Sequence, residues 1–421
     1  MRVLWCVNLL MHDAEDIFEI KAVHLVPWIE TLKDSLVQEE NIKLCVATFA
    51  RVNKLMQGKK NGITYYVIPK RMSDTKKIII TKQIAKEFSP DLIHIHGTEM
   101  GYGLYFQKAL PKIPSCVSIQ GFCCEYSKVY YAGMTFDNVF KIRGIRDIVK
   151  GFSIRAGKKD YYHRGLIEKK IIENTKNILG RTDWDRYNTA AINPDAQYHE
   201  AGEMMRSNFF REPWNVEEIN RNQVFVTQGS YPIKGLHKLI EALALVMKSY
   251  PDTKLIVAGK KPFSDSAVTM FKIGGYGAYL KSLIKKHQLQ NNIEFTGVLT
   301  GEQVYAHLKK SHVFVLPSVI ENSPNSLVEA KIVGTPIVTA CIGGINGMVS
   351  HNKTALIYPF TEINMLAGYI MKIFEDDLLA SALSKEAAEE AARQYRDVDI
   401  KEQYISIYEK VIAICNKKGN V

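Results

Sequence analysis

The chain has 421 residues, 46% of them hydrophobic and 24% charged, a composition typical of a globular enzyme with room for two domains. No run approaches the ~20 apolar residues of a membrane-spanning helix, and no nucleic-acid-binding motif accompanies the net charge of +11, which argues against both classes. The seven cysteines show no metal-type spacing, so we expect reduced thiols and a cytoplasmic protein.

In the first half, short apolar runs alternate with helical patterns, which predicts a parallel sheet covered by helices. Thr182 is expected to cap a short helix. Helices are also predicted at residues 25–37 and 77–88. The predicted strands are residues 3–9, 42–49, 63–68, 92–96 and 115–119, with short closing strands at 178–181 and 197–200.

Residues 121–177 form a long basic insertion with many aromatic side chains. Between Lys141 and Lys176, eleven basic and four acidic residues leave a local net charge of +7, and apolar residues are interleaved. Two interpretations stand side by side. The segment is either an amphipathic surface that contacts anionic lipid headgroups or a solvated basic face of a globular domain.

A second series of strands and helices predicts a second doubly wound sheet. Its first helix is predicted at residues 234–250, and its strands at 223–227, 254–258, 293–296, 313–316, 336–339 and 355–358. We therefore divide the chain into Rossmann-like domains at 1–205 and 206–395, with a terminal helix, 396–421, expected to pack back on the first domain. A ligand is expected at the carboxyl ends of the strands, in the cleft between the domains.

Two carboxylates, Glu321 and Glu329, lie eight positions apart across a predicted loop-to-helix junction. Ser323 can cap that helix and Pro324 suits its first turn, which places Glu329 in the second turn. The unpaired N–H groups of a helix start attract phosphate, so flanking acids fit a nucleotide sugar. An ordinary capped helix with two surface acids is the alternative.

Two glycine-containing turns accompany this junction. Residues 228–235 follow a strand and bring Lys234 to the start of a helix, an anion cradle that is neither a Walker loop nor a dinucleotide fingerprint. Gly343 and Gly344 follow another predicted strand, where the missing side chains let a backbone approach a ligand closely.

The run from Pro317 to Val338 fits the pattern P-S-x-x-E-x-x-P-N-x-x-x-E-A-x-x-x-G-x-P-[IV]-V. With Lys234 before it and the glycine pair after it, this run resembles the donor half of a GT-B glycosyltransferase, and more specifically the retaining glycosyltransferase family 4. The resemblance covers almost all of the second half and, more loosely, the first. It implies an α/β fold of the GT-B type, two doubly wound Rossmann-like domains facing a central cleft.

The resemblance also implies roles for individual residues. Glu329 is expected to bind the ribose of the nucleotide, and Glu321 to lie near the hydroxyls of the donor sugar. Lys234 is expected to neutralise the diphosphate as the leaving group gains charge. The family uses a nucleotide-diphosphate sugar as donor substrate, and neither a metal nor a cofactor is expected. The other implied donor-binding residues are Ser230, Val298, Leu299, Asn322, Ser323, Asn325 and Ser326.

The sequence departs from the family at two places. Gly229 stands where an arginine is usual, so phosphate neutralisation is lighter or comes from another cation, with Arg181 and Arg206 as candidates. Gln120 stands where a histidine is common, and its amide can bind a sugar hydroxyl but cannot titrate. Gln120 and Gly121 are kept as candidates for contact with the acceptor.

Two further patterns carry weaker signals. His94 and His96 stand at alternate strand positions and are expected to point to opposite faces, so at most one, with His96 as the candidate, contacts a ligand. A buried, hydrogen-bonded histidine is the favoured alternative. Asp183 and Asp185 imitate the Asp-x-Asp metal motif of another glycosyltransferase fold, but the doubly wound second half argues against that architecture. We therefore predict no metal site.

The leading hypothesis is a retaining glycosyltransferase that moves a hexose-like sugar from a nucleotide-diphosphate sugar to a glycan or lipid-linked acceptor, in bacterial surface polysaccharide biosynthesis. It is expected to be cytoplasmic, with peripheral contact to the inner face of an anionic membrane as a further hypothesis, and to bind no nucleic acid. Gln120 and Gly229 favour one alternative, a non-catalytic carbohydrate- or nucleotide-sugar-binding relative. A nucleotide-sugar epimerase and a phosphorylase are the others, and no pyridoxal-type lysine site supports the latter.

Overall fold

The computed structural model describes residues 1–20, 27–141, 153–264 and 274–418. Residues 142–152 of the basic segment lie outside these ranges. The chain divides into two compact units. Unit 1 comprises Met1–Cys124, His163–Arg206 and Tyr395–Val421, and unit 2 comprises Glu125–Tyr162 and Ser207–Gln394.

Unit 1 is built on one eight-stranded sheet. Its strands are β1 (Arg2–Val7), β2 (Lys43–Ala50), β3 (Met56–Lys60), β4 (Ile63–Pro69), β5 (Leu92–His96), β6 (Ser115–Ser118), β7 (Asn177–Gly180) and β8 (Gln197–Glu200). They lie in the order β3-β4-β2-β1-β5-β6-β7-β8, and all neighbours are parallel except β3 and β4. Successive residues of β1, including Val3, Leu4 and Trp5, are fully buried, so both faces of the sheet are covered. This is why its strands read as unbroken apolar runs.

Unit 2 is built on a six-stranded, wholly parallel sheet. Its strands are β9 (Asn220–Val226), β10 (Lys254–Ala258), β11 (Ile293–Gly297), β12 (Ser311–Leu316), β13 (Ile337–Ala340) and β14 (Leu356–Tyr358). They lie in the order β11-β10-β9-β12-β13-β14. Both units are therefore doubly wound α/β folds, as the sequence predicts.

The helices cover the two sheets. In chain order they are α1 (His12–Phe18), α2 (Pro27–Val37), α3 (Asp74–Phe88), α4 (Gly103–Ala109), α5 (Cys123–Lys128), α6 (Phe136–Phe140), α7 (Ile154–Glu173), α8 (Asp183–Ile192), α9 (Leu236–Val246), α10 (Gly275–Lys286), α11 (Gly301–Lys310), α12 (Asn325–Val333), α13 (Ile363–Glu375), α14 (Asp377–Gln394) and α15 (Asp397–Lys418). The last of them, α15, packs within unit 1, where the indole N–H of Trp5 donates to the hydroxyl of Tyr408 at 3.2 Å.

The helix predicted at residues 234–250 is shorter than expected. Gly235 has a left-handed φ of 69°, which separates a single 3₁₀ turn, Pro232–Lys234, from α9. A helix cannot continue through that conformation, so α9 begins at Leu236. The consequence is that Lys234 lies in the loop after β9 and not on the helix.

Residues 125–162 belong to unit 2, whereas the sequence division placed them in the first domain. Ring nitrogen Nε2 of His237, in the first turn of α9, lies 3.0 Å from the carbonyl oxygen of Ala132. Next to it, Gly133 packs against the side chain of Lys238. Residues 125–162 of the basic insertion thus add to unit 2, and the chain returns to unit 1 at His163, within α7.

A fully buried lysine joins α12 to α14. The ammonium of Lys331 donates to the carboxylate of Glu390 at 2.6 Å, to the carbonyl of Met348 at 2.7 Å and to the amide oxygen of Gln394 at 3.2 Å. Burial lowers the pKa of Lys331, although Glu390 opposes that effect. The three acceptors make this a structural cation of unit 2.

We expect Lys331→Met to destabilise the fold by about 3 kcal/mol, because removing one partner of a buried ion pair leaves the other uncompensated. Chemical denaturation of the full chain measures this loss. Lys385→Met is the matched control, since Lys385 lies on α14 with a side chain that is 74% exposed and 4.0 Å from Glu389. That control should change stability by less than about 0.5 kcal/mol. Equal effects of the two substitutions would contradict the structural role.

Candidate functional site

The loops that follow β9 and β12 meet at the carboxyl edge of the unit 2 sheet. β9 and β12 are neighbours, but the chain winds from them in opposite directions, which makes them the switch point of the sheet. Open α/β sheets bind ligands at such a point. The N–H of Val319 donates to the carbonyl of Ile233 at 2.9 Å, and the N–H of Gly344 donates to the carbonyl of Glu321 at 3.0 Å. These bonds join both loops to the one after β13.

Two glycines allow these loops to approach one another. Gly235 and Gly343 both have positive φ angles, 69° and 48°. A Cβ atom at Gly235 would overlap the carbonyl oxygen of Pro317, and one at Gly343 would overlap the carbonyl oxygen of Glu321. A side chain at either position would therefore push apart the backbone segments that form the site.

The centre of the site is an ion pair between Lys234 and Glu321. Nζ of Lys234 lies 2.6 Å from Oε1 of Glu321, and the side chains are 18% and 7% exposed. The hydroxyl of Ser318 donates to the same carboxylate oxygen at 2.7 Å. The ammonium of Lys234 and the hydroxyl of Ser318 thus hold the Glu321 carboxylate in place.

The ion pair keeps Lys234 charged at neutral pH. Burial, the largest single effect, acts to lower the pKa of this lysine. The charges of Glu321 and Tyr231 and their hydrogen bonds together outweigh it, and the net pKa is raised above its ordinary value. A permanently protonated lysine at the edge of the sheet is suited to binding an anion.

The helix α12 begins later than the sequence predicts. Pro324 is extended, with φ −76° and ψ 122°, and serves as the N-cap without a side-chain hydrogen bond, so the expected capping by Ser323 is wrong. The first backbone bond of the helix runs from the N–H of Leu327 to the carbonyl of Pro324 at 3.0 Å. The N–H groups of Asn325 and Ser326 precede that bond and belong to the helix start.

Glu329 lies in the second turn of α12, as expected, and is buried, with 8% of its surface exposed. Asn322 is also buried, in the loop that carries Glu321. Four of the predicted donor-binding residues are therefore held on one continuous segment, from Asn322 to Ser326, between the ion pair and Glu329.

The remaining donor-binding candidates lie on more open parts of unit 2. Ser230 is exposed in the loop after β9. Val298 and Leu299 follow β11, and Val298 is 72% exposed. Thr300 and Gln303 form a capping box that begins α11 directly after them. This box fixes the backbone on which Val298 and Leu299 are presented.

The structure explains why a glycine stands at position 229, where an arginine is usual in the family. A Cβ atom at Gly229 would overlap the side chain of Leu236, which is fully buried at the start of α9. An arginine would not fit there unless Leu236 moved. The charge of Arg181, one suggested substitute, is balanced within unit 1 by Glu203 at 2.6 Å, and both side chains are at least nine-tenths buried. The other suggested cation, Arg206, is the last residue of the segment His163–Arg206 of unit 1.

The expectation that His94 and His96 of β5 point to opposite faces is wrong. His94 and His96 lie on the same face, with ring centroids 3.7 Å apart, because residues two positions apart in a strand share a face. Both are buried. The ring nitrogens of His94 lie 2.7 Å from the hydroxyl of Tyr408 and 2.6 Å from that of Ser118. Burial lowers the pKa of both rings, so they are neutral members of the unit 1 core.

The Asp183–Asp185 pattern forms a helix start. The side chain of Thr182 accepts a hydrogen bond from the N–H of Asp185 and caps α8, as predicted. The carboxylate of Asp185 is buried and accepts bonds from the N–H of Arg181 at 3.0 Å and from the hydroxyl of Tyr198. Asp183 has a side chain that is 78% exposed, so the two acids do not act together. Within the described residues, no group of three or more potential ligands could hold a metal ion.

Sequence reasoning missed two polar residues near strand ends. Ser318, which holds the Glu321 carboxylate, stood in the quoted motif, but a serine in a loop gives no signal of its partner. Glu99 follows β5 and accepts a hydrogen bond from the N–H of Gly121 at 3.0 Å. No motif includes Glu99, and only the fold reveals that it meets the predicted acceptor residues Gln120 and Gly121.

Comparisons with known proteins show which family the second half of the chain resembles. Residues 210–390 match the family model described as glycosyl transferases group 1. A Bacillus subtilis protein named as a glycosyltransferase, YtcC, is 24% identical over 367 residues, which cover 85% of this chain and 81% of YtcC. The 2-deoxystreptamine N-acetyl-D-glucosaminyltransferase of Niallia circulans is 28% identical over 333 residues, 77% of each chain.

Solved structures show the same fold over nearly the whole chain. Sucrose-phosphate synthase from Thermosynechococcus elongatus superposes with a TM-score of 0.70 at 16% identity and covers 98% of this chain and 100% of its own. HepE from Anabaena, solved in complex with UDP-glucose, superposes with a TM-score of 0.69 at 15% identity, with coverages of 98% and 100%.

Proposed function

We propose that this chain, a glycosyltransferase of GT-B fold whose residues 210–390 form a glycosyl transferases group 1 domain, is a retaining enzyme of family 4. It transfers a hexose-like sugar from a nucleotide-diphosphate sugar to a glycan or lipid-linked acceptor. The proposed setting is the synthesis of bacterial surface polysaccharide.

One observation carries this proposal: the ion pair of Lys234 and Glu321 stands at the switch point of the unit 2 sheet, next to the start of α12. A charged lysine and the N–H groups of a helix start both favour phosphate. A carboxylate fixed beside them accepts hydrogen bonds from sugar hydroxyls. A nucleotide-diphosphate sugar carries both kinds of group, and we assign Glu329, which follows on α12, to the ribose.

The names of similar proteins support the choice of donor and setting. HepE was solved with UDP-glucose, and the Niallia circulans relative transfers N-acetylglucosamine to 2-deoxystreptamine according to its name. WcaL of Salmonella typhimurium, 27% identical over 186 residues, is named for colanic acid biosynthesis. A UDP-hexose is therefore the first donor to test.

The proposed chemistry is same-face substitution at the anomeric carbon. The acceptor hydroxyl oxygen forms the new glycosidic bond while the bond from the anomeric carbon to the diphosphate breaks, and the hydroxyl proton passes to the leaving phosphate. Lys234 stabilises the charge that develops on that phosphate. Glu321 and the α12 start position the sugar, so binding geometry and electrostatics supply most of the rate enhancement.

A thermal-shift screen of the full chain with nucleotide diphosphates and their sugars tests the proposal. A specific nucleotide should raise the melting temperature in a concentration-dependent way, equivalent to about 2.7 kcal/mol at one hundred times its Kd. The control is Lys353→Met, which removes an exposed ion pair between Lys353 and Glu386, 3.9 Å apart, and it should respond like wild type. A chain that no nucleotide stabilises, or that nucleotide sugars stabilise without any transfer, would favour a protein that is not a glycosyltransferase of this type.

Peripheral contact with an anionic membrane forms the second part of the proposal. Helix α7 carries exposed apolar side chains at Tyr162 and Leu166, 53% and 44% exposed. Lys159 and Lys170 are exposed at helical spacing from them, on the same face. Such a mixed apolar and basic face suits a surface of anionic headgroups. Among the helices that the structure describes, none combines the length and apolar character needed to cross a bilayer.

Vesicle co-sedimentation is expected to require anionic lipid and to weaken as salt rises, because screening shortens the range of the attraction. Replacing Lys159 and Lys170 with glutamine should reduce binding to phosphatidylglycerol vesicles at least about fivefold. Lys385→Gln and Lys353→Gln together remove the same charge from α14 and from the turn before β14 instead. Equal binding by both double variants would rule out the α7 face.

A further inference from the structure

The carboxyl edge of the unit 1 sheet has its own switch point, between β1 and β5. These strands are neighbours, and the chain winds from β1 to β2 on one side and from β5 to β6 on the other. Asn8 follows β1, and Glu99 follows β5 after Gly97 and Thr98. The side-chain amide of Asn8 donates to Oε2 of Glu99 at 3.2 Å. Glu99 therefore stands where a doubly wound sheet binds ligands.

The loop after β6 completes this cluster. The N–H of Gly121 donates to Oε1 of Glu99 at 3.0 Å. Gly97 has a φ of 87°, and a Cβ atom there would lie 2.5 Å from Oε2 of Glu99, 2.6 Å from Nδ2 of Asn8 and 3.4 Å from Cδ of Gln120. The missing side chain of Gly97 thus provides the space in which the Asn8, Glu99 and Gln120 side chains converge.

The hydrogen-bonding capacity of Glu99 is only partly used. A carboxylate accepts about four hydrogen bonds. The Glu99 carboxylate accepts bonds from the neutral amide of Asn8, from the N–H of Gly121 and from its own backbone N–H. Arg164 donates to the main-chain carbonyl of Glu99 at 2.8 Å rather than to its carboxylate. Within the described ranges, the Glu99 carboxylate forms no salt bridge, although the charges of Arg164 and Arg181 act on it, so its remaining capacity is suited to a donor from a ligand.

A second carboxylate adds negative charge behind this cluster. Glu168, fully buried on α7, accepts bonds from the hydroxyl of Thr98 at 2.9 Å and from the N–H groups of Cys123 and Cys124 at 3.1 and 2.9 Å. Burial raises the pKa of Glu99 and of Glu168. The charge of Glu99 adds to the rise in the pKa of Glu168, whereas the charges of Arg164 and Arg181 act to lower the pKa of Glu99. The Glu99 carboxylate still favours hydroxyl and amine donors over an anionic ligand group, because Arg181 is paired with Glu203 and Arg164 donates to a main-chain carbonyl.

We infer that Glu99 is an acceptor-binding residue, and that Asn8, Glu99 and Gln120 hold hydroxyl groups of a neutral or amino sugar, not of a phosphorylated one. The assignment of this sugar as the acceptor rests on the proposed glycosyl transfer. The existence of a sugar site at this edge of unit 1 does not depend on that transfer. The sugar site and the proposed function can therefore be disproved separately.

Saturation-transfer NMR on the full chain without nucleotide tests the sugar site directly. The probes are methyl glycosides of glucose, galactose, mannose and N-acetylglucosamine, together with glucosamine and glucose 6-phosphate. At least one of the uncharged or amino sugars should bind wild type, and Glu99→Gln should weaken it about tenfold, since a bond to a charged acceptor is lost. The matched control is Glu40→Gln, an exposed glutamate of the same unit that should leave binding unchanged.

Three results would overturn the inference: no binding of any non-phosphorylated sugar, equal binding by wild type and Glu99→Gln, or preferential binding of glucose 6-phosphate.

Nucleotide binding distinguishes a binding role of Glu99 from a merely structural one. Glu99→Gln should keep the nucleotide-dependent thermal shift of wild type, and a loss of both responses would indicate a damaged fold and contradict the assignment. If Glu99→Gln does not fold, Asn8→Ala takes its place and should weaken sugar binding at least threefold, and unchanged binding would overturn the inference.

Discussion

Glu321→Ala is expected to lower sugar transfer about 100- to 1000-fold, the cost of removing one preorganised polar group from an active site. The Glu321 carboxylate is fixed by Lys234 at 2.6 Å and by Ser318 at 2.7 Å, so its position is set before the donor binds. Release of nucleotide diphosphate from the best-binding nucleotide sugar measures the loss. Glu386→Gln is the matched control, because Glu386 belongs to an exposed ion pair in the same unit.

The thermal shift with nucleotide diphosphate separates a damaged fold from a damaged site. Glu321→Ala should still be stabilised by the nucleotide diphosphate, since the proposed contact of Glu321 is with the sugar. Unchanged transfer in a variant that folds and binds would show that Glu321 does not act on the donor. A nucleotide-dependent shift that is present in wild type without any transfer would favour the non-catalytic relative.

The fold was largely accessible from the sequence because parallel strands covered on both faces leave an unmistakable pattern. Leu92–His96 is observed at its predicted bounds, and so is Lys254–Ala258, since each is a short apolar run between turn residues. The sequence places the N-cap of α12 one residue too early, at Ser323 instead of Pro324, because serine is a preferred capping residue. Only the extended backbone of Pro324 decides that the helix begins at Asn325.

The site was predictable where its residues share one segment and not where the fold assembles it. Glu321, Asn322 and Glu329 lie close in the sequence, so their motif carries the information. The approach of Lys234 to Glu321 joins residues 87 positions apart and depends on the order β9-β12. The contact between Ala132 and His237, 105 positions apart, also depends on the fold. It is one of the contacts by which residues 125–162 belong to unit 2. Single residues such as Glu99 have no local signature at all.

Lys234→Met is expected to weaken binding of nucleotide diphosphate at least tenfold and to lower transfer by a further factor of about 100, because developing charge on the leaving phosphate loses its counter-ion. Gly229 supplies no cation, so more of the neutralisation falls on Lys234. Isothermal titration with UDP and the transfer assay measure the two effects. Lys353→Met, which removes an exposed lysine, should change neither.

The pH dependence of this contact follows from the raised pKa of Lys234. A lysine whose folded pKa is raised contributes its full stabilisation below its ordinary pKa, 10.5, and loses it only as pH rises through the folded value. Nucleotide affinity should therefore show no titration of this lysine between pH 6 and 9. An affinity that falls across that range, and falls equally in Lys234→Met, would assign the titration to another group.

The double variant Lys234→Met/Glu321→Ala separates stability from function. Each single change leaves one buried charge without its partner, since the two side chains are only 18% and 7% exposed, whereas the double change removes both charges. The double variant should be more stable than the sum of the single losses by about 1–3 kcal/mol, a coupling that chemical denaturation measures. Transfer should not recover with it, because neither the phosphate cation nor the sugar-binding carboxylate returns. Additive losses would show that the ion pair is not energetically coupled, and recovered transfer would show that the pair serves only the fold.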